Sequence, residues 1–462
     1  MSKHVNNGKK MSKETINFVE FFSGIGVTSM ALDRVGKRLG MDFKCKATSE
    51  IEPGAIKAYQ TLHGTGIPNY NDVTKIDFAK MWSEVGGWDF CSWTFPCTNI
   101  STAGDKSGFE EGTGNASSLF WELKRMFKVH KPKIMFLENV ASILNQRNIA
   151  TFEKIVKFFE DEGYFVQYGI FDAADYGIPQ HRERLFMICT HGEKIAFQMP
   201  KKKALKFKLC DILEKDVEEH YYLGKLKNTF VNKSMSKSYE FRVHNPSHCE
   251  VAYTMTTRAG RISENFIFEK DLSSEPTIRI NPSGLKENGL TKRDIDTMKI
   301  RSLTKRETML LMGLTEEDIK KLEGFPKTTI YRLMGNAIVV DALEEFLYEF
   351  FKAYLTKHFV KGGASAKASK GPKTFHERKR TLQRLRKKNN ARVFLVVNNK
   401  VVWENAPTGK KKGPKETTKN QDLVESKWAG ERRGPPESFC QHQLSIWNKK
   451  IWLHAGWRGK ER

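Results

Sequence analysis

Four side chains stand where apolar runs end, and their types could do chemistry there. Cys97 lies in FPCTNIS (95–101), directly after the strand-like run WDFCSW (88–93). Glu138 lies in LENV (137–140), at the close of KIMFLE (133–138). The carboxyl ends of parallel strands are where α/β sheets bind ligands. A cysteine at such a place is either a small buried core residue or a reactive thiol. A carboxylic acid just past a buried strand is costly unless it is paired or functional. Arg182 and Arg184, in IPQHRERLF (178–186), alternate at strand period and so face one side. They suit a phosphate or a base oxygen, or else they form a plain surface charge cluster.

Glycine turns frame these residues. FFSGIG (21–26) joins a strand to a helix. Such a turn lets backbone approach a ligand, and the helix start favours an anionic group, although glycine turns also serve packing alone. Glu50 ends the next strand about two dozen residues on, where an acid can take ribose hydroxyls. In LMGNAIVV (333–340), Gly335-Asn336 reads as a turn opening the final helix.

Elements of alternating type must position these motifs. INFVEFF (16–22), KCKATSE (44–50), WDFCSW, KIMFLE and RLFMICT (184–190) read as strands. VTSMALDRVGKRLG (27–40) and TFEKIVKFFEDEG (151–163) read as amphipathic helices. The expected fold is α/β, a doubly wound, mostly parallel sheet over 14–190. Residues 191–300 are Lys-rich, with short strand candidates and no long periodic helix. Residues 301–358 turn helical again, with a strong amphipathic helix over 341–355, and complete that domain. VKGGASAKASKGPK (360–373) reads as a flexible linker, within 359–373. Residues 374–462 form a basic extension that holds five of the nine tryptophans, so a small folded module is expected there.

Composition narrows the partners. The formal net charge is +24, and +18 of it falls in residues 361–462. A polyanion is implied, with the tail as its strongest electrostatic contact. The seven cysteines are scattered without a C-x-x-C pair, which argues for a reducing compartment and against a cysteine-rich metal site. His244, His248 and Cys249 make a poor ligand set, so no metal is expected. No apolar run is long enough to span a membrane, and the polar N-terminus lacks the apolar stretch of a secretory signal.

FFSGIG, TSE, NDVT, FPCTNIS, LENV, QHRER and GNAIVV follow one another in this order over residues 18–340. This series closely resembles the DNA (cytosine-5)-methyltransferase family. The resemblance implies a Rossmann-like fold using S-adenosylmethionine, with 191–300 as an inserted target-recognition region. It makes Cys97 the nucleophile, Glu138 the acid partner on the target base, and Arg184 the contact to the cytosine carbonyl oxygen, with Arg182 in the same motif. It places Phe22, Gly24 and Gly26 in the cofactor loop. Glu50 becomes the ribose acceptor, Ile51 the residue packing on adenine, Asp72 the acid near the adenine amine, and Asn336 part of the motif closing the pocket.

There are departures. Thr94 stands for a glycine, Thr98 for a glutamine and Ala337 for a serine, and Asn115–Leu119 lacks the family's arginine. Expected partners are duplex DNA, with Lys201–Lys203, Arg258 and Arg261 as candidate contacts, and a restriction endonuclease. A monomer, bacterial or phage-encoded and cytoplasmic, is expected. Two other readings share these features: an RNA cytosine-5 methyltransferase on the same fold, and a non-catalytic DNA-binding protein.

Overall fold

The computed structural model describes residues 15–96, 109, 111, 115–236, 241–257 and 265–359, together with strands at 392–397, 400–405, 439–443 and 451–456. The chain divides into two compact units, Met1–Val166 with Phe171–Gly362, and Gln167–Ile170 with Gly363–Arg462.

A six-stranded sheet carries the motifs. Its strands are β1 (Thr15–Phe21), β2 (Asp42–Ser49), β3 (Phe90–Trp93), β4 (Ile134–Val140), β5 (Tyr164–Asp172) and β6 (Glu183–His191), in the order β2-β1-β3-β4-β6-β5. The pairs β1/β2, β1/β3 and β3/β4 are parallel, while β6 runs antiparallel to β4. The central strands are near-continuous apolar runs because helices cover both faces. All four residues of β3 are buried. The doubly wound, mostly parallel expectation therefore holds, with β6 as the reversed strand. The sequence reading omits β5, whose interior Gln167 and Gly169 interrupt the apolar run.

Helix α1 (Val27–Leu39) buries Met30, Ala31, Leu32 and Val35 and ends on Gly40 in the left-handed conformation. It packs along the closing helix Val340–Phe359. The Arg34 guanidinium donates to the Gly313 carbonyl at 2.7 Å, and Arg38 pairs with Glu344 and Glu345 at 2.6 and 2.7 Å. The chain between α1 and β4 adds α2 (Pro53–His63), α3 (Phe78–Val85) and α4 (Leu123–Phe127), and α5 (Ile149–Asp161) follows β4. No helix among the described residues is long and apolar enough to cross a membrane.

Gly335 and Asn336 do not open the final helix. They end the helix Lys327–Asn336, and the final helix starts at Val340. Glycine is needed here for a close approach rather than for a turn. A Cβ at Gly335 would lie 2.3 Å from the backbone nitrogen of Thr257.

Residues 191–300 contribute the helix Leu226–Met235 and most of a small sheet. That sheet contains β7 (Arg242–His244), β8 (Phe266–Phe268), β9 (Thr277–Arg279) and β10 (Ile300–Ser302). It has a core of its own, including Phe241, Val243, Phe266, Phe268 and Ile278. In the second unit, β11 (Arg392–Val397), β12 (Lys400–Asn405), β13 (Phe439–Gln443) and β14 (Ile451–Gly456) form an antiparallel sheet in the order β12-β11-β14-β13. The basic segment 374–391 lies outside the described residues.

One carboxyl is sealed into the main sheet. Glu20 in β1 is 1% exposed and accepts hydrogen bonds from the hydroxyls of Ser29 and Tyr59. Burial, only partly offset by these bonds, pushes its pKa up to about 7. The folded chain therefore holds this proton more tightly than the unfolded chain does. Stability from this group is full below the unfolded value of about 4.5 and is lost as pH rises through about 7. At alkaline pH the loss is on the order of 3 kcal/mol. Glu20→Gln, which keeps the acceptor without the charge, is expected to unfold at higher denaturant than wild type at pH 8 and to lose that advantage at pH 4. Urea titrations at the two pH values check this.

Candidate active site

The turn after β1 is built from left-handed residues. Phe22, Gly24 and Gly26 have φ of 58°, 54° and 84°. For glycine this is free, whereas for Phe22 it costs on the order of 1 kcal/mol or more. The surroundings hold the phenylalanine there. Its N–H donates to the Ser49 carbonyl at 2.7 Å, and its ring meets Trp93 edge-on at 5.5 Å. The Thr94 hydroxyl donates to the carbonyls of Phe21 and Phe22 at 3.3 and 3.1 Å. Thr94, a departure from the family pattern, thus fixes the turn from the neighbouring strand.

Glu50 follows β2 directly and faces this turn. Its Oε2 accepts the Gly24 N–H at 2.9 Å, and its Oε1 accepts the N–H groups of Ile51 and Glu52, each at 2.9 Å. A carboxylate offers about four acceptor positions. These three backbone donors orient it and leave one position for a hydroxyl. Ile51 is 67% exposed, an uncommon exposure for isoleucine, and it sits at the rim of the cavity described next. Asp72 caps the turn Val73–Lys75 by accepting the Thr74 N–H at 3.0 Å, and that bonding lowers its pKa.

These residues line one cavity of about 370 Å³. Its wall also includes Pro96, Glu138, Arg184 and Asn336. The volume is that of an ordinary small-molecule site. On its floor, Arg184 Nε lies 3.1 Å from Glu138 Oε1, and both side chains are largely buried. Burial lifts the Glu138 carboxyl above its usual range, although Arg184 and then Arg182 pull it down. The cavity thus joins an acid that holds its proton, a guanidinium and a shelf of oriented acceptors.

Residues 16–352 match the family model for C-5 cytosine-specific DNA methylase. The chain belongs to that family. It is a DNA (cytosine-5)-methyltransferase, with S-adenosylmethionine as co-substrate and DNA as substrate. The methylase is 30% identical to the Type II methyltransferase M2.ScrFI of Lactococcus lactis subsp. cremoris over 62% of this chain and 71% of the relative. It is 26% identical to M.MspI of Moraxella sp over 76% and 74%, and 28% identical to M.HpaII of Haemophilus parainfluenzae over 72% and 88%. In fold it is similar to the Entamoeba histolytica methyltransferase EhMeth, with a TM-score of 0.58 at 17% identity over 74% of this chain and 99% of that one. S. pombe Dnmt2 gives 0.56 at 18% identity over 74% and 98%.

The cavity brings together Phe22, Gly24, Glu50, Ile51, Asp72, Glu138, Arg184 and Asn336 of the methylase. It does not include two of the expected residues. Gly26 packs under the turn, where a Cβ would lie 2.3 Å from His63 Nε2 and 2.7 Å from the Tyr59 ring. Arg182 is buried beside the cavity rather than facing it. Its guanidinium donates to the carbonyls of Met255, Gly335 and Ala337 at 2.6, 2.8 and 2.7 Å. It acts as a brace that holds the Asn336 segment against the strand entrance, not as a hand toward a base or phosphate. Cys97, the stretch 101–108, Arg258 and Arg261 lie outside the described residues. Lys202 and Lys203 are paired with Asp175 and Glu345 at 2.5 and 2.7 Å, which ties them to the main unit. Thr94, Leu119 and Arg332 line the cavity without having been singled out as site residues.

The two arginines should therefore fail differently. Arg182→Ala strands three buried carbonyls. It is expected to cost on the order of 3 kcal/mol or more of stability and to weaken cofactor binding. Arg184→Ala is expected to keep cofactor affinity and lose turnover. Thermal unfolding and cofactor titration calorimetry on both variants check the split.

Proposed function

We propose that the methylase acts through a covalent adduct of Cys97 with a cytosine turned out of duplex DNA. The observation that carries this reading is the convergence of the Glu138–Arg184 pair and the Glu50 shelf on one cavity whose wall reaches Pro96, the residue before Cys97.

Carbon 5 of cytosine is a weak nucleophile inside an aromatic ring. The Cys97 thiolate adds to carbon 6, which makes carbon 5 electron-rich. Glu138, held protonated by burial, donates to ring N3 and offsets the charge that builds as the thiolate adds. Arg184 donates to the carbonyl oxygen of the base and keeps Glu138 oriented. When bound, S-adenosylmethionine supplies the electrophilic methyl group that carbon 5 accepts. Loss of the carbon 5 proton then expels the thiolate and restores the ring. A stacked base cannot reach these groups, so the cytosine has to leave the duplex.

The residues present fit the cofactor. Glu50 would accept a ribose hydroxyl, Ile51 would pack on adenine, and Asp72 would face its amine. Phe22, Gly24 and Asn336 would shape the remaining wall. Residues 191–300, with their separate small core, would read the DNA target. A cognate restriction endonuclease and a cytoplasmic setting fit the Type II relatives.

Bisulfite sequencing of DNA from cells expressing the wild-type chain should show protected cytosines in one short sequence context. The Cys97→Ala chain, produced at equal level, should protect none, a loss of more than about a thousandfold for a nucleophile. Equal protection by the two chains would refute the nucleophile.

A further inference from the structure

The element after the proposed nucleophile grips the chain on both sides of it. Residues Ala116–Glu122 form a 3-10 turn that runs straight into α4. Ser117, fully buried, donates its hydroxyl to the carbonyl of Pro96 at 3.1 Å. One helical turn later, the Trp121 indole N–H donates to the carbonyl of Phe109 at 2.8 Å. The Phe109 ring is buried against Phe120 and Trp121, with centroids 5.3 and 5.2 Å away. Lys124 pairs with Glu111 just beyond.

The two main-chain bonds have a consequence that ring packing alone lacks. An apolar cluster fixes how deep Phe109 sits but allows it to slide. A directed N–H bond to its carbonyl fixes the register of the chain as well. The bond to Pro96 does the same one residue before Cys97. Both donors belong to one short continuous element, so the separation of the two anchors is set by helix geometry. A side chain of Phe at position 121 would satisfy the aromatic cluster equally well, so packing does not explain the indole nitrogen.

We propose that Ser117 and Trp121 are positioning residues for the nucleophile, fixing the ends of the stretch 97–108 so that the Cys97 thiolate is presented at attack distance. This inference rests on Cys97 being the nucleophile. Small displacements of a reacting group lower the rate of the bond-forming step while leaving remote binding intact.

The test isolates that step. In a duplex with 5-fluorocytosine at the target, the thiolate adds to carbon 6 and carbon 5 is methylated. Fluorine cannot leave as a cation, so the covalent adduct persists. Under single-turnover conditions Trp121→Phe and Ser117→Ala are each expected to form adduct about tenfold more slowly than wild type. Cofactor affinity should stay within about twofold of wild type, since no cofactor contact is changed. Adduct formation at the wild-type rate by both variants would overturn the proposal. So would a slower rate matched by an equal loss of cofactor affinity, because that is the mark of a damaged fold. Cys97→Ala separates the two levels of the argument. If it still forms adduct, the nucleophile assignment fails, whatever Trp121 does.

Discussion

The site depends on the pairing of β4 with β6. These strands run antiparallel, with Glu138 opposite Phe186 and Val140 opposite Arg184. That register delivers a carboxyl from one strand and a guanidinium from the other to the same end of the sheet. A carboxyl alone at this depth would be driven neutral by desolvation, and a fully exposed ion pair would keep it charged. The observed arrangement lies between these limits. Burial dominates and lifts the Glu138 pKa, while Arg184 holds the group in place. An acid that keeps its proton beside a fixed cation can donate to a ring nitrogen and a carbonyl oxygen at once.

The other half of the cavity is organised by backbone rather than by charge. Three left-handed residues within five positions bend the chain after β1, and one of them is a phenylalanine. The strain persists because Ser49, Trp93 and Thr94 bind the turn from two neighbouring strands. The turn returns this support by donating Gly24 N–H to Glu50, which orients the acceptor shelf. Arg182 closes the frame from the far side by tying residues 255, 335 and 337 to the entrance of β6.

Much of this was legible in the sequence because the motif residues sit at the ends of short, intensely apolar strands bounded by glycine or proline. Glu50, Glu138 and Arg184 are found where those boundaries put them. The direction of β6 was also within reach. Residues 173–182 are too few for a crossover helix, so the chain has to turn back. The role of Arg182 was not readable. Strand alternation puts it on the side of Arg184, yet it precedes β6, and its partners lie 73 to 155 positions away. Gly26 was misread for a related reason. Its constraint is the His63 and Tyr59 side chains of α2, not a ligand. Thr94 and Ala337, noted only as departures from a pattern, are a hydroxyl brace and a braced carbonyl.

The protonation of Glu138 is the most direct check on the chemistry assigned to this cavity. Carboxyl carbon-13 NMR of glutamate-labelled protein, with Glu138→Gln to assign the resonance, gives its titration midpoint. We expect the midpoint to lie above the ordinary glutamate value in wild type and to rise further in Arg184→Met, which removes the main charge that opposes desolvation. A midpoint at or below the ordinary value in wild type would mean that Glu138 is charged at neutral pH and cannot be the donor to the ring nitrogen.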